Sequence, residues 1–311
     1  MKFLILYTYR KKKSYNHWGS FDYFHELKKY GHDLMFYGPG MVKSSIPYIP
    51  KSSIIKLKNK FNYDFVIINC VNRAYLRKMK NEWVITDSIP TILIEPDFHN
   101  LRDYSFFERH NVKLIIHRHR SNYNRAIKVS PKINHELLYS SVDEKIFYPR
   151  NNVRIDKVCF VGTSSTKSTY LIREKAIREL RKGCKKFINC GQVKGAGYVD
   201  LLNKYKIYLN GSSVYDIENT KVFEILSCGG VPLTNRCSCA LNELLDGNII
   251  EYSSDCSDIL DVARDALSDT NRLNNIAKMG REVILKRHTH FIRVGELLAI
   301  IKKYEDLVII K

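Results

Sequence analysis

The stretch Tyr215–Asn235, YDIENTKVFEILSCGGVPLTN, reads as a helix feeding a buried strand, and the rest of the chain is arranged around it. Asn219 or Thr220 can cap the helix, because a short polar side chain accepts a bond from the unpaired amides of the first turn. Val222, Phe223, Ile225 and Leu226 fall at helical spacing. Gly229-Gly230 ends the helix where a left-handed residue is wanted, and Val231-Pro232-Leu233 follows as a short apolar strand. The helix start points free N–H groups and a partial positive charge at whatever precedes Thr220, which suits a diphosphate, and Lys221 adds a full charge there. Glu224 is an acid on a helix otherwise turned towards a core. A carboxylate in that position needs a partner, and the two hydroxyls of a ribose satisfy both its oxygens. Taken alone, the pattern also fits an ordinary amphipathic helix with a glycine cap.

Outward from this stretch the chain alternates strands and helices. Upstream, strands are expected at Val158–Val161, Lys186–Asn189 and Ile207–Asn210, with helices over 169–181 and near 198–204. Downstream come a helix near 240–245, a strand at 248–252 and helices over 256–267, 272–286 and 291–303. The first half begins with a strand from Lys2 to Tyr9, a basic loop through Gly19, a helix over 20–29 closed by Gly31, and a strand at 33–37. This is a β-α-β unit, the signature of a parallel sheet. Tyr63–Asn69, Thr91–Glu95 and Lys113–His117 are continuous apolar runs, as strands covered on both faces must be. Ligands of such sheets bind beyond the carboxyl ends of strands, which directs attention to Asp97, His99, Arg118 and Arg120. Strand ends also collect polar residues as caps.

The order Asp216, seven residues, Glu224, small residues, Gly, Val-Pro resembles the nucleotide-sugar site of the group 1 (family 4) glycosyltransferases and their spore-maturation-protein-like relatives. That family usually has Glu at the first position, where this chain has Asp216. Ser141-Val142-Asp143-Glu144-Lys145-Ile146-Phe147-Tyr148-Pro149, followed by the strand KVCFVG, resembles the interdomain linker of the same enzymes. Glu243-Leu244-Leu245-x-Gly247, Ile276-Ala277-x-x-Gly280 and His288-Thr289-x-x-x-Arg293 match their C-terminal sequence in order and spacing. The likeness covers about residues 141–303; over 1–140 it rests on β-α alternation.

The resemblance implies an α/β fold of the GT-B type, two Rossmann-like domains with parallel sheets facing across a cleft. Residues 1–145 form the acceptor domain, 146–290 the nucleotide-sugar domain, and 291–311 a C-terminal helix packing back on the first. It further implies Glu224 as ribose ligand and Asp216 near the transferred sugar, with retention of anomeric configuration. Expelling a diphosphate requires cations or amide donors in place of a metal, so no metal or cofactor is expected. Lys221, the helical turn at Thr220, Gly162 and Lys167 or Arg173 after the Val161-Gly162 strand are the donor-binding candidates. Arg173 also fits a solvated helix position beside Glu174. Should the reaction invert, Asp97 or His99 is the natural base.

The chain of 311 residues carries a net charge of +19, and residues 1–150 hold 26 basic against 13 acidic residues. A polyanionic partner is expected: nucleic acid, an anionic membrane face or a charged glycan. A lysine-rich genome that decorates every solvated face is the plainer account. Basic runs interleave with aromatics, so Lys11, Lys12, Lys13, Trp18, Gly19, Arg118 and Arg120 are the candidate acceptor contacts, and DNA carrying a hydroxymethylated pyrimidine is the favoured acceptor. A surface glycan or lipid, or a non-catalytic nucleic-acid-binding module, are the alternatives; Asp216, Lys221 and Glu224 together argue against the last. No apolar run approaches the roughly 20 residues of a membrane span, and the N-terminal apolar run is too short for a secretory signal, so a cytoplasmic protein is expected. Eight scattered cysteines read as free thiols, and Cys237-Ser238-Cys239 has no second pair at zinc spacing. P-loop, G-x-S-x-G and H-E-x-x-H signatures are absent.

Overall fold

The computed structural model describes residues 1–7, 22–37, 57, 61–69, 89–95, 104–164, 170–212, 217–237 and 239–310. Contacts divide the chain into two compact units, the first holding the N-terminal strand, Tyr23–Tyr139 and Arg293–Lys311, the second Ser140–Ile292. The chain thus returns to the first unit within the helix His290–Lys303.

In the first unit the strands β1 (Lys2–Tyr7), β2 (Asp33–Tyr37), β3 (Phe65–Asn69), β4 (Thr91–Glu95), β5 (Val112–His117) and β6 (Asn134–Leu137) form one sheet in the order β2-β1-β3-β4-β5-β6. Every pairing is parallel. Both faces are covered, which is why the strands are apolar throughout rather than alternating. One face packs Leu4, Leu6, Val66, Ile68, Leu93 and Ile115. The other packs Phe3, Ile5, Phe65, Ile67, Leu114 and Ile116 against Val294, Leu297 and Ile301 of the C-terminal helix.

The second unit repeats the plan with β7 (Ile155–Phe160), β8 (Phe187–Asn189), β9 (Tyr205–Asn210), β10 (Val231–Asn235) and β11 (Ile250–Tyr252), in the order β11-β10-β9-β7-β8 and parallel throughout. Counted within each unit, the first sheet runs 2-1-3-4-5-6 and the second 2-1-3-4-5, the doubly wound order that reverses between its first and third strands. Cys159 and Tyr208 face a core shared with the helix Thr220–Ser227, whose Val222, Phe223, Ile225 and Leu226 are fully buried.

Three features depart from the expectations. The helix after the first strand is a 3-10 helix, Asp22–Tyr30. Sequence patterning passes over the helices Ser105–Arg109 and Arg120–Val129 and the strand β6, whose residues Asn-His-Glu-Leu carry no apolar run because it lies at the sheet edge. Cys237 and Cys239, expected as free thiols, are joined in a disulfide. Their Cα atoms lie 5.3 Å apart, within bridging reach, as positions two apart in the chain readily are. Among the described residues no helix is long and apolar enough to cross a membrane.

Candidate donor site

The second unit's sheet reverses between β7 and β9, and the chain leaving both strands supplies a cluster of charged side chains. Arg173, from the helix Leu171–Gly183, ties the two exits together: Nη1 donates to the Thr163 carbonyl at 3.3 Å and Nη2 to the Gly211 carbonyl at 3.1 Å. Its guanidinium lies over the Tyr170 ring, 4.3 Å from the centroid. The side chain is buried, so the solvated helix position that the sequence also allowed is not the one adopted. A Cβ at Gly211 would stand 2.9 Å from the Arg173 Cα, so the close approach requires glycine.

Lys221 reaches the same place from the opposite side. Asn219 caps its helix, the side chain accepting from the Lys221 amide at 3.0 Å, and Gly229, at φ +79°, ends it. The Lys221 ammonium donates to the Val161 carbonyl at 2.6 Å. It occupies space left by Gly162, where a Cβ would come within 2.7 Å of Nζ. Burial, reinforced by the positive charge of Arg173, pulls the Lys221 ammonium down to about 8. Burial lowers Arg173 as well. Among the described residues neither cation forms a salt bridge with a carboxylate, and Arg173 Nε is buried with no hydrogen-bond partner.

Glu224 sits one turn along from Lys221, 8% exposed. The Tyr198 hydroxyl donates to its Oε2 at 2.6 Å, and Oε1 takes part in no hydrogen bond among the described residues. Burial pushes its carboxyl up to about 7 despite that bond and the Lys221 charge. Asn210, the last residue of β9, is 2% exposed, and its Oδ1 is unpartnered among the described residues. Its Nδ2 donates to Thr234 Oγ1 at 3.5 Å. The cluster therefore combines two mutually repelling cations, one acid with an uncommitted oxygen and an amide with an uncommitted acceptor. Such an arrangement suits an anion carrying hydroxyl groups.

Glu224, Lys221, Thr220, Gly162 and Arg173 are brought together in this way. Lys167 and Asp216 lie outside the described residues, as do Asp97, His99, Lys11, Lys12, Lys13, Trp18 and Gly19. Arg118 and Arg120 belong to the first unit. Arg118, expected as an acceptor contact, is only 4% exposed and folded over the Tyr23 ring, 5.6 Å from its centroid. It follows β5 directly, beside the packed 3-10 helix, and is drawn inward there. Arg120 Nε donates to the Tyr139 hydroxyl at 3.0 Å.

Tyr198, Asn210 and Arg154 were not legible as site residues. Arg154 reaches beneath the cluster: Nη1 donates to the carbonyls of Leu202 at 2.9 Å and Tyr205 at 2.7 Å, and Nη2 donates to the Cys228 carbonyl. It thereby caps the carboxyl ends of the helices that carry Tyr198 and Glu224. The one available signal was that a buried acid must find a donor; nothing in the spacing identified which.

Residues 173–299 match the family model described as glycosyl transferase-like. No curated protein matches the chain by sequence. Among solved structures, a glycosyltransferase from Rickettsia africae superposes with a TM-score of 0.66 at 13% identity, covering 97% of this chain and 98% of that one. An α-glucosyltransferase in complex with UDP and a 13-mer DNA containing a HMU base gives 0.65 at 14%, covering 97% and 99%. Anabaena Alr3699/HepE in complex with UDP and glucose gives 0.62 at 12%, covering 97% and 100%. Through these likenesses the two parallel-sheet units are identified as the GT-B fold.

Proposed function

We propose that the chain is a group 1 glycosyltransferase, its second unit binding a UDP- or GDP-sugar and the sugar passing to a polyanionic acceptor held by the first unit, hydroxymethylpyrimidine bases in DNA; the glycosyl transferase-like match over residues 173–299 and the GT-B fold support this reading. The observation that carries the donor half is the Lys221–Arg173 pair beside Glu224: two buried cations that form no salt bridge with a described carboxylate, at the reversal of a parallel sheet. A diphosphate supplies the missing negative charge, and ribose hydroxyls supply donors for Glu224 Oε1 and Asn210 Oδ1. UDP occupies several of the structural neighbours.

The acceptor hydroxyl oxygen forms a bond to the anomeric carbon while the bond from that carbon to the diphosphate oxygen breaks. Lys221 and Arg173 stabilise the charge that develops on the leaving group, the role a metal plays elsewhere. With retention, the departing phosphate oxygen takes the acceptor proton, and Asp216 lies near the transferred sugar. With inversion, Asp97 or His99 takes the proton. The DNA acceptor is supported by the basic excess of residues 1–150 and by α-glucosyltransferase neighbours bound to DNA. It implies a cytoplasmic protein.

A thermal-shift series with UDP, GDP, ADP and their sugars tests the donor reading. A ligand at a hundred times its dissociation constant stabilises the native state by about 2.7 kcal/mol. No shift with any nucleotide overturns it. A salt titration of duplex binding tests the acceptor: affinity is expected to fall steeply as salt rises. Binding to acidic vesicles with indifference to DNA replaces DNA by a surface glycan or lipid.

A further inference from the structure

Asn69 closes β3 and Asn210 closes β9. Each strand is the third of its unit and pairs with the first, so both residues stand at the carboxyl edge where the strand order reverses. Asn69 is 2% exposed, and among the described residues neither Nδ2 nor Oδ1 has a hydrogen-bond partner. Buried polar groups are almost always satisfied, and an orphaned amide lowers stability. Among the described residues nothing in the packing asks for it: Phe65, Val66, Ile67 and Ile68, the rest of the strand, are apolar and closed off from solvent. In register Asn69 stands between Tyr7 of β1 and Ile94 of β4, and along the same edge β5 ends in His117 followed by Arg118.

From these observations we infer that Asn69 binds the acceptor, presenting a hydrogen-bond donor and an acceptor side by side to a group with the complementary pair, the polar edge of a nucleobase. A carboxamide makes this paired contact with base edges. An extruded base has lost its pairing partner and needs such a contact inside the protein. The parallel with Asn210, whose Oδ1 is likewise buried without a partner among the described residues, places such an amide at the same point of each sheet, one for each substrate. This inference rests on the DNA reading above.

The test uses the full chain with Asn69→Leu, which has similar volume and no polar atoms. Without ligand its melting temperature is expected to rise by about 2 °C or more, since removing an orphan relieves a cost. The UDP-induced shift should stay unchanged, while affinity for a DNA duplex containing a 5-hydroxymethylpyrimidine, measured with UDP present, falls about tenfold or more, as loss of a paired base contact implies. Asn69→Ala, which leaves a gap and risks no clash, should lose duplex affinity equally. A lowered melting temperature for Asn69→Leu, or duplex affinity unchanged in either variant while the unsubstituted protein binds, overturns the role of Asn69 alone. If the unsubstituted protein shows its UDP shift but no duplex binding, the DNA reading fails and takes this inference with it.

Discussion

The two units share a strand order and a reversal point, yet they hold charge in opposite ways. Residues 1–150 carry the larger excess, 26 basic against 13 acidic, whereas the second unit concentrates its binding potential in two cations and one acid around β7 and β9. Net charge identifies a kind of partner and gives no address. An address comes from charge that the fold has buried and left unbalanced, because only there does the low dielectric make a missing counter-ion expensive.

The sharpest way to break this contrast is Glu224→Gln. It should abolish most of the UDP-induced stabilisation, about 2.7 kcal/mol at a hundredfold excess over the dissociation constant, while the protein without ligand becomes more stable at pH 8. The sign follows from burial: the folded carboxyl titrates near 7 and the unfolded one near its ordinary value. Glu224 therefore costs nothing below pH about 4.5, and its cost grows as pH rises, reaching its full size, of order 1–3 kcal/mol, above about 7. Melting curves at pH 4.5 and 8 check this; equal curves for the two proteins at pH 8 refute it.

Lys221→Met comes next, with an expected ten- to hundredfold loss of UDP affinity from one buried charge-assisted contact. In the unsubstituted protein, UDP affinity should fall as pH rises through about 8, where the ammonium loses its proton. Calorimetry from pH 6 to 9.5 reads this directly, and a flat profile excludes Lys221 from the phosphate. Arg154→Ala probes the support beneath the site. Loss of its caps should destabilise the second unit by about 1–2 kcal/mol, with only a small change in UDP affinity. A large affinity change at constant stability would move Arg154 into the binding site.

What could be read from the sequence follows from how local each signal was. The Asn219 cap, the Gly229 stop and the apolar stripe of Val222, Phe223, Ile225 and Leu226 lie within a dozen residues, and their structure follows local rules. Apolar runs such as FVIIN and TILIE located β3 and β4 because both sheet faces are covered. The edge strand β6, polar and paired on one side, carried no such pattern. Glu224 could be singled out as an acid on a buried face, but its donor Tyr198 lies 26 residues away and is brought there by packing. The inward turn of Arg118 onto Tyr23 likewise depends on tertiary placement. Asn69 and Asn210 looked like strand ends. Only the burial of amide atoms left without partners among the described residues, both of those in Asn69 and the Oδ1 of Asn210, distinguishes them.

Gly162 carries one last consequence. Its backbone, at φ +145°, takes a shape that other residues rarely adopt, and the first carbon of any side chain would collide with the Lys221 ammonium. A methyl group there is enough to evict the lysine from its seat while the sheets around it stay whole. Gly162→Ala is thus expected to dislodge the Lys221 ammonium and to weaken UDP binding, a change of one methyl group that carries no charge of its own.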